Sequence, residues 1–237
     1  MTEATRRERL RAETEREIRQ AARTLLVTQG REAVTLRAIA RELGITAPAL
    51  YRYYNSHEDL LRQLCDDICQ DMSHELYKDI ADLGEDQVRD QVRAVCHAFR
   101  RWALAHPQEF SLVFASPQDA LGPKPDQFGS VFLEVAARLI ASHPAPEQEH
   151  ADVPSTLHGD LASFQEVLIQ AVASHGCEVS AAELSLGAIY HIVQSWVRLY
   201  GHVALEVFGR FPFAVANPEP MFDRMIDQML TDIGFGD

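Results

Sequence analysis

The stretch TLRAIARELGITAPALYRYYNSHEDLL, Thr35 to Leu61, decides the fold. Thr35 is placed to cap a short helix whose Leu36, Ile39, Ala40 and Leu43 recur at i, i+3, i+4 and i+7. Gly44 follows, where a helix ends in a left-handed residue and a side chain would add strain. Ile45 is expected to fill the turn. Thr46 is expected to cap a second helix, with Pro48 in its first turn, where a missing N–H is harmless. Leu50 and Tyr54, four apart, belong to that helix's buried face. Ala47, Pro48, Tyr51 and Arg52 belong to its outer face, with Tyr53 near the boundary. A glycine-containing turn between two short helices is the pattern of a helix-turn-helix, whose second helix enters the DNA major groove.

Upstream, Ile18, Ala21, Ala22, Leu25 and Leu26 mark the buried stripe of a helix from about Glu13 to Thr28, ended by Gln29-Gly30. Residues 1–12 read as a flexible arm carrying Arg6, Arg7, Arg9 and Arg11, either a solvated tail or a segment touching phosphates or a minor groove. Downstream, Ser56-x-x-Asp59 is a variant capping box that opens a long helix reaching Leu83, broken at Gly84. A further helix runs from about Asp86 to His106-Pro107, and PQEFSLVFA is a short one. Ser116 to Pro125 reads as a loop, Gln127 to Ala141 as helix, and His143 to Ser155 as a polar, proline-rich mobile loop. Two long helices, about Leu157–His175 and Ser180–Phe208, precede a last one from Pro218 to Ile233. No segment alternates as a strand would, so the fold class is all-α. The helix-turn-helix domain is assigned to residues 13–62 and a larger helical domain to residues 63–237.

A chain of 237 residues, 46% apolar, can bury a sizeable core in one or two domains. No apolar run is long enough for a membrane span, and the charged opening MTEATRRERLRAETERE lacks a secretory h-region, which places the protein in the cytoplasm. The net charge of −13 would argue against a nucleic-acid binder if it were evenly spread. It is not. Residues 1–62 hold twelve Arg and nine acidic residues, a net +3, while the rest of the chain carries −16. Charges beyond roughly 10 Å are screened at physiological salt, so the docking face decides attraction to phosphates. Four cysteines (Cys65, Cys69, Cys96, Cys177) form no CxxC pair and the histidines have no zinc-ligand spacing, so no metal or cofactor is expected. Cys65 and Cys69, joined by His74, leave a metal or thiol sensor as a minor reading beside two small core residues.

With the residues laid out this way, AARTLLVTQGREAVTLRAIARELGITAPALYRYYNSHEDLL resembles the DNA-binding domain of the tetracycline-repressor (TetR) family. WVRLYGHVALEVFG, Trp196 to Gly209, is similar to the Trp–His-Gly type of C-terminal domain in one branch, with Tyr200-Gly201-His202 departing from the usual order. The resemblance implies a homodimer on a double-stranded DNA operator, a ligand pocket in the C-terminal domain, and release of DNA when a small molecule binds. By resemblance, Thr46, Tyr51 and Tyr53 would hydrogen-bond phosphates, and Ala47 and Pro48 would approach base edges such as thymine methyls. Thr35 and Arg37 are the next candidates, with Arg37 suited to a phosphate or a guanine. Arg52 joins them, and Arg41 reads more simply as solvated. Where many relatives place a lysine this chain has His57, assigned to a phosphate at the start of the long helix. The simpler alternatives are that Thr35 and Thr46 are caps alone and that Tyr51 and Tyr53 pack on neighbours.

The pocket is assigned to Phe99, Trp102, Phe110, Phe114, Phe132, Phe164, Tyr190, His191 and Gln194, because an apolar cavity with few polar groups suits a small, largely apolar effector. Phe128, His97, Trp196 and Arg198 lie in the same segments, and aromatics at helical spacing are also what a plain core contains. Helices Leu157–His175 and Ser180–Phe208, with Gly187 and Ala188 allowing close approach, are assigned to the dimer interface. The function expected is a ligand-responsive repressor. The alternatives are an activator or DNA binder without an effector, and an enzyme with an appended helix-turn-helix. The last lacks a nucleophile elbow, metal triad, phosphate loop or paired carboxylates.

Overall fold

The computed structural model describes residues 6–84, 87–115, 131, 132, 135, 153–174, 180, 181 and 184–232. The expected loop at Ser116–Pro125, residues 143–152 of the expected loop at His143–Ser155, most of the Gln127–Ala141 helix, the first five residues and Cys177 lie outside the described residues. The described end of the second loop is ordered, with Val153 buried and a 3-10 turn starting at Ser155. The helices are α1 (Arg6–Gln29), α2 (Leu36–Glu42), α3 (Ala47–Leu50), α4 (His57–Ile80), α5 (Val88–Ala105), α6 (Pro107–Phe114), α7 (His158–Ser174), α8 (Leu186–Val207) and α9 (Glu219–Asp232). Short 3-10 turns at Arg31–Ala33 and Ser155–Leu157 complete the described elements. None of these helices is long and apolar enough to cross a membrane.

The chain divides into two compact units, Met1–Asp71 with His106–Pro125, and Met72–Ala105 with Asp126–Asp237. This differs from a single cut at residue 62. Helix α4 is shared between the units, and α6 belongs to the first one.

In the first unit α1 presents Ile18, Ala22, Leu25 and Leu26 to a core completed by Val34, Ile39, Leu50, Tyr54, Leu60, Leu64 and Phe110. The stripe matches the sequence reading, but α1 begins at Arg6 rather than near Glu13. The helix-ending glycines are where expected. Gly30 has φ 84° and Gly44 has φ 67°. At the end of α2 the Ile45 N–H reaches the Ala40 carbonyl at 2.9 Å and the Gly44 N–H reaches Arg41 at 3.2 Å, the paired bonds of a left-handed helix terminator. Ile45 itself stays 38% exposed, so the turn is held by these backbone bonds more than by its side chain. The buried carboxylate of Glu109 is met by Arg23 Nε at 2.5 Å, and Arg23 also pairs with Asp71.

In the second unit α8 packs on α5, α7 and α9. Phe99, Trp102, Leu199, Val203, Phe222 and Ile226 are buried. A smaller cluster joins Val153, Leu161, Leu168, Leu184 and Ile189. Helix α8 ends at Gly209 (φ 61°), where the Arg210 N–H bonds the Leu205 carbonyl at 2.8 Å, a second terminator of the same kind.

Candidate nucleic-acid interface

The α2–turn–α3 segment is built around its caps. The Thr35 hydroxyl accepts from the Ala38 N–H at 3.2 Å and so starts α2. Thr46 occupies the equivalent position before α3, but its hydroxyl makes no capping hydrogen bond. Helix α3 is a single turn, with Pro48 in its first positions. Leu50 and Tyr54 point inward, 0% and 1% exposed. The Tyr54 hydroxyl donates to the Glu15 carbonyl at 3.1 Å and accepts from Arg19 at 3.3 Å, which locks the end of the motif onto α1. Burial pushes the Tyr54 phenol above its ordinary pKa, so it stays a neutral donor.

Thr35, Arg37, Thr46, Pro48, Tyr51 and Arg52 are all exposed, and Tyr51 is 59% accessible. Ala47, Tyr53 and His57 are half-buried. All nine residues singled out in the sequence lie in the first unit, on or beside the motif. His57 has a second occupation. Its Nε2 lies 2.6 Å from the Val34 carbonyl, and since a carbonyl only accepts, Nε2 must carry the proton. Nδ1 is then the ring nitrogen left for any further contact. Ser56 and Asp59 form the expected box with its return bond shifted by one residue, to Asn55. The Asp59 N–H donates to Ser56 Oγ at 3.0 Å, while the Asp59 carboxylate accepts from the Asn55 N–H, also at 3.0 Å.

Arg11, expected in a flexible arm, is instead held on α1 and docked on the motif. Its Nη2 donates to the Arg52 carbonyl at 3.4 Å, its guanidinium lies 5.9 Å from the centre of the Tyr53 ring, and its Nε pairs with Glu15 at 2.8 Å. The i, i+4 spacing of Arg11 and Glu15, with no Gly or Pro before Gly30, was the available signal for helix there.

The nine pocket candidates divide between the two units. Phe110 and Phe114 lie on α6 in the first unit, their ring centres 4.8 Å apart. In the second unit Phe99, Phe132 and Trp196 form a triangle with centres 5.7–5.9 Å apart, and Tyr200 stacks on Trp196. Trp102 is buried on the same helix as Phe99. Tyr190 packs against the Leu161–Leu168–Ile189 cluster, with His191 and Gln194 half-buried on the same helix. Phe164 is 38% exposed on α7. An open groove of about 640 Å³ is lined instead by Arg198, Pro220, Met221, Arg224, Met225 and Gln228. A polar cluster also went unread in the sequence. Arg100 makes two bonds to the Glu206 carboxylate, at 2.8 and 2.7 Å, and lies over the Phe222 ring at 5.3 Å. His202 sits beside them, its Nε2 buried and without a hydrogen-bond partner among the described residues. Of the cysteines, Cys65, Cys69 and Cys96 are buried, and burial pushes the Cys96 thiol up to about 12, which makes it a poor nucleophile.

Two family models match the chain. One, described as bacterial regulatory proteins of the tetR family, covers residues 18–64, and a tetracyclin repressor-like C-terminal domain covers residues 92–229. The second match includes the Trp196–Gly209 segment. The chain is similar to the HTH-type transcriptional regulators Mb1846 of Mycobacterium bovis and Rv1816 of Mycobacterium tuberculosis. Each is 28% identical over 218 residues, which is 90% of this chain and 89% of the relative. Among solved structures, the regulatory protein SCO4313 aligns at 25% identity with a TM-score of 0.62, covering 96% of this chain and 100% of that one. A protein from Rhodococcus sp. RHA1 aligns at 15% identity and a TM-score of 0.56, over 92% and 94% of the two chains, a likeness of fold alone.

Proposed function

The chain belongs to the TetR family of DNA-binding transcriptional regulators, and we propose on that premise that it is a ligand-responsive repressor. It binds a pseudo-palindromic operator as a homodimer and leaves it when a small, largely apolar molecule binds the second unit. The observation that carries the DNA reading is the outer face of the helix-turn-helix. There Thr46 has a hydroxyl uncommitted to its own helix, and Tyr51 stands exposed beside it. Both groups suit phosphate oxygens, and Pro48 and Ala47 between them suit base edges.

The dimer reading is supported by apolar side chains left exposed on two helices. Phe164 and Val167 lie on α7, just after Leu157, and Val197 and Leu205 lie on α8, followed by Phe208. Val197, Gly201, Leu205 and Phe208 share one face of the α8 segment by spacing, and a Cβ on Gly201 would meet nothing within 4 Å in its own chain. A partner helix could approach closely there, as the four-helix interface of such dimers requires. The effector reading is supported by the Phe99–Phe132–Trp196 triangle, in which Phe132 and Trp196 keep some accessible surface. A regulator without an effector is the second reading. It is favoured by the burial of Phe99 (0% exposed) and Trp102 (3%), which leaves almost no open surface at either ring.

One experiment tests the core of this. Genomic fragments captured by the purified protein are sequenced, and the enriched site is footprinted. Two symmetric half-sites about 34–36 Å apart, or a multiple of that, are expected. Single half-sites occupied by monomer would end the reading. Thermal shifts against a panel of small apolar compounds then separate the effector reading from its alternative.

A further inference from the structure

The arginines at the start of α1 lie on a fully exposed stretch of helix. Arg6 to Arg11 holds four arginines and one glutamate, and residues 6–13 are all exposed. This part of the helix buries no apolar stripe. It is nonetheless docked. Arg11 crosses 41 residues of sequence to reach the Arg52 carbonyl and lies over the Tyr53 ring. Both partners belong to the DNA-facing end of the helix-turn-helix. The tetR-family match begins at residue 18, so this extension lies outside it.

Helical geometry then places the other arginines. Arg7 precedes Arg11 by four residues, about 6 Å further along the axis and about 40° around it, on the same face. Arg9 falls on the opposite side, about 160° from both. A duplex meeting Tyr51 and Tyr53 continues past the motif, with a phosphate every ~3.4 Å along each strand. We propose that the first two turns of α1 are a second DNA-contacting ridge, in which Arg11 fastens the helix beside Tyr53 and Arg7 binds a backbone phosphate flanking the recognition groove. This rests on the DNA-binding reading and adds a contact to it. Arg7 carries no base information, so the ridge raises affinity for operator and random duplex alike.

The test uses the full chain and an operator selected by the wild type from a pool of random duplexes. Affinity is measured over a series of salt concentrations for wild type, Arg7→Gln, Arg7→Lys and Arg9→Gln. Arg7→Gln is expected to make the slope of log affinity against log salt shallower by about one per subunit. It should weaken selected and random duplexes by the same factor. Arg7→Lys keeps the charge and should keep the slope, and Arg9→Gln, on the far face, should match wild type. A wild type that selects an operator while Arg7→Gln retains the full slope overturns the ridge and leaves the DNA reading standing. A wild type that selects no duplex overturns both.

Discussion

At the scale of single residues, the two threonines of the motif look alike in sequence and differ in the structure. Thr35 caps α2 through its hydroxyl, so Thr35→Ala should cost about 1 kcal/mol of stability. Thr46 makes no such bond, so Thr46→Ala should change stability by no more than about 0.5 kcal/mol and show its effect on DNA. Urea denaturation beside operator binding checks both, and the assignment fails if Thr46→Ala destabilises as much as Thr35→Ala. Tyr51→Phe should likewise weaken all duplexes evenly, whereas Pro48→Ala should alter base preference in a repeated selection. These positions were legible because caps, glycine terminators and buried periodicity are local. Gly44, Leu50 and Tyr54 follow from spacing alone. The bond from His57 Nε2 to the Val34 carbonyl was not legible, because it joins residues 23 apart through a geometry that only the packed motif creates.

At the scale of elements, the joints between helices are made by charges that no local pattern announces. Arg23 on α1 serves both Asp71 and the buried Glu109 of α6. Burial disfavours its charge, yet the bonds to Asp71 and Glu109 outweigh this and hold its pKa above the ordinary value. Arg23→Ala would strand a buried carboxylate. A loss of about 3 kcal/mol is expected, the low end for a broken buried pair because Arg23 keeps some solvent contact. Adding Glu109→Gln should recover part of it, and additive losses in a double-mutant cycle would show that the pair is not coupled. In the second unit His202 is enclosed by Phe211 and Phe222, with ring centres at 5.4 and 5.2 Å. Burial lowers its pKa, Glu206 opposes this, and Arg100 reinforces it. The unfolded chain therefore takes up the proton first. The stability His202 contributes is fully present above about pH 6.5 and declines as pH falls through its lowered folded pKa. His202→Phe removes the buried nitrogen and should flatten the fall in melting temperature between pH 7.5 and 5.5. An unchanged pH profile would assign that fall to other groups. Sequence spacing suggested Phe99 and Trp102 as pocket walls, but it could not show that α6 joins the first unit and takes Phe110 and Phe114 with it.

At the scale of the whole molecule, the helical class, the helix-turn-helix and the larger second part were readable from periodicity and turn chemistry. Which helices pair was not, because that depends on contacts between distant segments. The one described helix that belongs to both units is α4, whose residues through Asp71 group with the first unit and from Met72 with the second. If the protein works as a dimer, α4 is the element through which the second units would fix the spacing of the two DNA-binding heads. Rigid spacing makes the second head's binding effectively intramolecular, and this can raise affinity for a two-half-site operator by 10²–10⁴ without a new contact. Gln70 is exposed on α4 next to the boundary, so Gln70→Pro breaks the helix there without opening a core position. The break removes one backbone hydrogen bond and costs about 3 kcal/mol of helix stability. The head keeps its own core, so affinity for a duplex with one half-site should stay near that of wild type. Affinity for the full operator should fall toward the half-site value, and any response to an effector should be lost. Competition between duplexes with one and two half-sites reads both quantities, and sizing of the variant confirms that it remains a dimer. If Gln70→Pro, still dimeric, holds the full operator as tightly as wild type, the heads are not spaced through α4 and ligand control must travel by another path.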